Sequence, residues 1–158
     1  MDTRVSIRRA SDAERPVIER LLELYLYDLA DVHSFPIGAD GLYHYERLEE
    51  FWRHPYLLFT GDDIAGLALV IERCPITGRE PCYFMAEFFV LRPYRGRGFG
   101  TAAAQQIVAA HRGPWHLAVM TANAAAMSFW QKLAAPFEAR ARHLTHDGEA
   151  WLLHEFES

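Results

Sequence analysis

Three glycines in five residues, Gly96-Arg97-Gly98-Phe99-Gly100, stand where a strand-like run gives way to a helix-like one. Glycines there let the backbone turn sharply and approach a ligand closely. The free N–H groups at the start of the following helix, with the helix dipole, make a seat for phosphate oxygens. Arg95 and Arg97 add positive charge and fork-shaped donors. Two other phosphate loops are excluded. A Walker loop ends in Gly-Lys-Ser/Thr, and here Gly98 and Gly100 precede Phe99 and Thr101. A dinucleotide fingerprint needs an acid about twenty residues on, and no acid follows until Glu138.

The rest of the chain reads as one α/β unit. Val5 and Ile7 alternate with polar neighbours in a short strand, Arg4 to Arg8. Ser11 or Asp12 caps a helix with Pro16 in its first turn, and Val17, Ile18, Leu21, Leu22 and Leu24 lie on one face of it as far as Tyr27. A segment rich in aromatics and acids follows, with a short helix near Tyr45 to Trp52. Strands are predicted at Tyr56–Thr60, Ile64–Glu72 and Tyr83–Leu91. Then come a helix at Gly98–His111, a strand at Trp115–Met120, a helix at Asn123–Leu133, and a hairpin of Phe137–Leu144 with Ala150–Phe156. No repeat or linker divides the 158 residues, so a single domain, 1–158, is expected.

Composition narrows the class. With 51% hydrophobic and 23% charged residues the chain is not disordered, and its apolar runs fall short of the ~18 residues a membrane span needs. Met1 to Ala10 has no signal-peptide pattern, so a cytoplasmic protein with no membrane partner is expected. Charge is segregated. Glu23 to Glu50 holds seven acids against Arg47 alone, whereas Phe88 to Phe137 holds five bases and no acid. The basic stretch suits a polyanion and the acidic one a cation, or both are solvated faces. The sparse basic residues and pI near 5.9 argue against nucleic acid.

Arg95-x-x-Gly98-x-Gly100 after a strand ending in Val90, with Pro93-Tyr94 before it, resembles the acetyl-CoA loop of the GCN5-related N-acetyltransferase (GNAT) family. Asn123-Ala124-Ala125-Ala126-Met127-Ser128-Phe129-Trp130 resembles that family's second signature, Asn-x-x-Ala-x-x-Phe-Tyr, in the family's order and spacing. The run Ala86 to Val90 with Asn123 to Trp130 is similar to a bacterial branch of predicted acetyltransferases.

The resemblance implies an α/β (α+β) fold. Its twisted mixed sheet, about seven strands with about four flanking helices, is splayed between the Tyr83–Leu91 and Trp115–Met120 strands. Acetyl-CoA would lie in the split. Its pyrophosphate would meet the backbone of Arg95, Gly96, Arg97, Gly98, Phe99, Gly100 and Thr101, and its pantetheine arm would pair with the main chain of Phe88, Phe89 and Val90. Asn123 would bond the arm or serve as a helix N-cap, and Phe129 and Trp130 would wall the cofactor or belong to the core. The Val90 N–H would stabilise the oxyanion.

Glu87 is a charge inside Phe84-Met85-Ala86-Glu87-Phe88-Phe89, where burial should raise its pKa and suit it to act as general base. A salt-bridged structural Glu or an anchor for the substrate ammonium are the other readings. Tyr27, Asp28 and Asp31, with Glu87, are the expected acceptor residues, for a small-molecule or peptide amine. Trp130 departs from the family's Tyr, and an indole cannot protonate the leaving thiolate. No metal is expected, since the eight histidines lack ligand spacing and read as surface or loop residues. Cys74 and Cys82 are expected as free thiols. The activity implied is acetyl transfer to an amine in a ternary complex by a monomer or homodimer. The rival is a CoA-binding sensor that has lost catalysis.

Overall fold

The computed structural model describes residues 4–158. The amino-terminal end of the expected domain, residues 1–3, lies outside them. Among the described residues the strands number seven: β1 Val5–Arg9, β2 His54–Thr60, β3 Asp63–Ile71, β4 Tyr83–Val90, β5 Pro114–Met120, β6 Arg140–His146 and β7 Glu149–Glu157. They form one sheet in the order β1-β2-β3-β4-β5-β7-β6, antiparallel except for the parallel β4–β5 pair.

Helices cover both faces, which is why β3 is buried from Ala65 to Ile71 with no polar alternation. Helix α1 (Arg15–Asp28) starts with Pro16 in its first turn and buries Ile18, Leu21, Leu22 and Leu26. It packs with α2 (Leu48–Phe51) over Leu57, Leu67, Leu69 and Phe89. On the other face α3 (Phe99–Ala110) and α4 (Ala124–Ala134) cover Leu58, Ala68, Val70, Met85, Val90 and Leu117.

Strands β4 and β5 pair only at Tyr83 with Trp115 and Phe84 with His116, and then diverge. The expected split is present, and a β-bulge stands at its root. Leu69 faces Glu87 while the next residue, Val70, faces Met85, so Ala86 is the extra residue on β4. Side chains alternate before and after it: Phe84 and Phe89 pack toward α1, and Met85, Phe88 and Val90 toward α3 and α4. An unbroken strand would put Glu87 on Met85's face. The bulge instead turns Glu87 toward α1.

Three expectations need correction. Phe137 lies in a 3-10 turn before β6, and Pro136 in the same turn delays the strand to Arg140. Leu24, expected on the apolar face of α1, is exposed, and Leu26 is buried instead. His111, His116 and His154 are buried rather than superficial. Each has an aromatic, sulfur or apolar neighbourhood that takes the ring: His111 meets the Tyr56 hydroxyl at 2.7 Å, and His116 meets the sulfurs of Cys74 and Cys82.

Candidate functional site

The 96–100 loop leaves β4 and opens α3. Gly98 is the N-cap of α3 at φ +76° and Gly96 has φ +81°, left-handed conformations that L-residues rarely adopt. A Cβ at Gly98 would meet no atom within 4 Å, so the surface above the α3 amides is open. Phe99 turns its ring into the core, and its part in the loop is its main chain. Arg97 is exposed, while Gly100 and Thr101 are half-buried. Gly66 on β3 has a different reason to be glycine. A Cβ there would lie 2.0 Å from the Phe89 carbonyl oxygen, so the close approach of β3 to β4 at the split depends on its absence.

Main-chain groups line the split. The Leu91 N–H donates to the Ala65 carbonyl on β3. Strand alternation therefore turns the main-chain groups of Phe88 and Val90 toward the side that β5 has left. Across the gap, the Phe88 ring stacks on Phe129 at 5.7 Å and meets Trp130 edge-on at 5.2 Å. Asn123 caps α4, its Oδ1 accepting the Ala126 N–H at 3.1 Å. That bond uses the carbonyl and leaves the side-chain N–H groups for another partner.

Arg95 is held in two ways. Its Nε–H donates to the Val90 carbonyl at 2.7 Å, and its guanidinium bonds the Asp28 carboxylate at 2.9 and 3.3 Å. Arg92 adds a third bond to Asp28 at 3.0 Å. These arginines keep the Asp28 carboxyl below its ordinary pKa despite the opposing effect of burial. Asp28 therefore joins the end of α1 to the glycine loop.

Glu87 stands on β4 facing α1, with Tyr25 from α1 and Tyr45 from the loop before α2 as neighbours. Burial pushes its carboxyl up to about 7, against the lowering effect of the two phenols and of Arg47. A carboxyl at that value is ionised in a useful fraction at neutral pH and still basic enough to take a proton. The Tyr45 hydroxyl is buried and closes no well-formed hydrogen bond with the protein.

Of the four residues expected on the acceptor side, Glu87 lies in this centre and Asp28 stands close enough for its charge to act on Tyr25. Tyr27 is 67% exposed, Asp31 is exposed, and Asp28 is bonded to the arginines. Most acids of the 23–50 segment are also engaged. Glu23 accepts backbone N–H groups, Asp40 pairs with His44, Glu49 with Arg15, and Glu50 with Arg47. Tyr25 and Tyr45 were legible as aromatics near this segment, but nothing local to them signals contact with Glu87. Among the described residues no group of three or more His, Cys, Asp or Glu is arranged to hold a metal ion. None of the described helices is long and apolar enough to cross a membrane.

A split sheet whose freed main chain faces a glycine-opened helix, beside a half-buried carboxyl, is the framework of a group-transfer enzyme. Residues 18–135 match the model of the Acetyltransferase (GNAT) family, and the chain belongs to that family. A search of curated proteins by sequence found no match. Among solved structures, a GNAT-family acetyltransferase from Streptococcus agalactiae superposes with a TM-score of 0.76 at 16% identity, covering 98% of this chain and 95% of that one. The diaminobutyrate acetyltransferase EctA from Paenibacillus lautus, in complex with L-2,4-diaminobutyric acid and coenzyme A, gives 0.63 at 16%, covering 96% and 94%. The ribosomal-protein-S18-alanine N-acetyltransferase from Escherichia coli gives 0.62 at 15%, covering 98% and 94%.

Proposed function

We propose that this acetyltransferase moves the acetyl group of acetyl-CoA to a primary amine by direct attack in a ternary complex, with Glu87 as the base. The observation that carries this reading is Glu87 itself, a carboxyl turned by the bulge into a half-buried, phenol-lined position beside the split. The whole chain, 1–158, acts as one catalytic domain.

Acetyl-CoA is the co-substrate and supplies an activated thioester. The residues present fit it. The amides from Gly96 to Thr101, beside the open surface at Gly98, receive the pyrophosphate. The unladdered main chain of Phe88 and Val90 takes the pantetheine arm as an added strand, and Asn123 donates its side-chain amide to that arm. Phe129 and Trp130, packed on Phe88, form the apolar wall of the split.

Glu87 accepts a proton from the bound ammonium, directly or through water, and frees the nitrogen lone pair for attack on the thioester carbonyl carbon. The Val90 N–H donates to the oxygen on which negative charge develops. Trp130 offers no acidic proton, so the sulfur leaves as thiolate, which an ordinary thiol pKa near 8.5 permits. The acceptor is a small-molecule or peptide amine. Its ammonium sits near Glu87, Tyr25 and Tyr45.

A second reading, a CoA-binding interaction module without turnover, draws on Trp130 and on exposed apolar side chains. Leu24, Tyr27, Phe35, Ile37 and Leu42 all lie between residues 24 and 42. Initial-rate measurements of thiol release from acetyl-CoA, across a panel of amines, separate the two. Intersecting double-reciprocal patterns with an acetylated amine support the proposal. Tight acetyl-CoA binding with no acetylated amine from any class supports the module.

A further inference from the structure

The Glu23 carboxylate, on α1, is directed at main chain. The Tyr43 N–H donates to its Oε1 at 2.7 Å and the His44 N–H to its Oε2 at 3.0 Å. Consecutive amides converge on one carboxylate where the chain reverses, and His44 makes that reversal at φ +57°, which costs a non-glycine residue. Just upstream, residues 38–42 form a closed turn, with the Gly38 N–H donating to the Leu42 carbonyl at 2.8 Å. Just downstream, Leu48 begins α2 and is buried. Between these anchors, Glu23 ties the loop to α1. A cleft of about 460 Å³ opens at this junction, with Glu23, His44, Tyr45 and Glu46 in its lining.

The residue after the left-handed His44 is Tyr45, whose buried, unsatisfied hydroxyl neighbours Glu87. We propose that Glu23 is a positioning residue for the amine site: it fixes the 43–47 segment to α1 so that Tyr45 stands against the Glu87 carboxyl. This rests on Glu87 being the base. The groups that act on Glu87 are Tyr25 from α1, and Tyr45 and Arg47 from the loop. Glu23 is not one of them, so its influence must pass through the loop.

The sign of the effect separates positioning from charge. Removing an anion near a carboxyl makes that carboxyl easier to ionise and lowers its pKa. Releasing the loop withdraws the Tyr45 hydroxyl and the field of Arg47 from Glu87, both of which lower its pKa, and so raises it.

The test follows Glu87 by carboxyl carbon-13 NMR across pH, alongside kcat/KM, in wild type, Glu23→Gln and Tyr45→Phe. Both variants should raise the Glu87 midpoint and the acid limb of kcat/KM by about 0.5–1 pH unit, with the KM for acetyl-CoA unchanged. The double variant should move the midpoint little beyond the larger single change. A Glu87 midpoint that falls or stays fixed in Glu23→Gln, while Tyr45→Phe raises it, overturns the positioning role. A midpoint that rises in both while the kcat/KM limb stays fixed upholds the positioning role and overturns Glu87 as base. If Glu23→Gln does not fold, Glu23→Asp carries the same expectation. Its shorter carboxylate keeps the charge but cannot span both amides.

Discussion

Replacing Glu87 with Gln should impair catalysis and stabilise the protein, with the stabilisation growing as pH rises. The Glu87 carboxyl is raised from an ordinary 4.5 to about 7 in the folded state. Above 4.5 the unfolded chain ionises this group while the folded chain still holds the proton. Glu87 is therefore least unfavourable to folding below 4.5, and its cost grows until pH has passed about 7. At 1.36 kcal/mol per pH unit, the ceiling of that cost is about 3 kcal/mol. Glutamine keeps the shape and never ionises, so Glu87→Gln should gain up to about 3 kcal/mol at pH 9 and almost nothing at pH 4.5. For a domain of this size that is about 6–12 °C in melting temperature. Urea denaturation of both proteins at several pH values measures it. A stability difference independent of pH between 5 and 9 would refute the burial argument, as would a variant that is less stable at pH 9.

Gly98→Glu places a side chain and a negative charge at a left-handed position on the phosphate seat. Acetyl-CoA affinity by calorimetry should fall by more than about tenfold while the circular dichroism spectrum is retained. Gly66→Ala must displace the Phe89 carbonyl that its Cβ would meet at 2.0 Å; denaturation should show a loss of about 1–3 kcal/mol or more, with acetyl-CoA binding weakened because the split strand moves. Burial lowers the His111 imidazole to about 4, so its contribution to stability is complete above 6.5 and is lost as pH falls from there through about 4. His111→Gln should flatten the acid side of the stability–pH curve over that range.

What was legible from sequence is what local chemistry determines. The glycine loop could be placed because its glycines, its arginines and the strand–helix junction lie within a few residues of each other. Asn123 could be read as a cap for the same reason, and its Oδ1 does accept the Ala126 N–H. The apolar face of α1 followed from Ile18, Leu21 and Leu22 at helical spacing. The bulge at Ala86 was hidden because Phe84 to Val90 is apolar on both faces, so a slip of one residue changes no visible pattern. The charge of the 23–50 segment is ambiguous in sequence for a related reason. Its carboxylates meet their partners through tertiary contacts, Asp28 with Arg92 and Arg95 and Glu49 with Arg15, and none of these follows from spacing. Tyr25 and Tyr45 lie twenty residues apart in sequence, and only the fold brings both to Glu87. Buried His116 was equally invisible, because the sulfurs that hold its imidazole up at about 9, against burial, come from the β3–β4 connection.

In the proposed mechanism Glu87 takes the proton from the amine in an acetyl transfer from acetyl-CoA. The pH dependence of kcat/KM, measured for wild type and Glu87→Gln with one accepted amine, tests it most directly. The wild-type profile should rise with an acid-limb midpoint near 7, where Glu87 ionises. In Glu87→Gln that limb should vanish and turnover should fall by about 10²–10⁴-fold, with acetyl-CoA affinity retained. A variant that keeps near wild-type turnover and the same acid limb would contradict the claim.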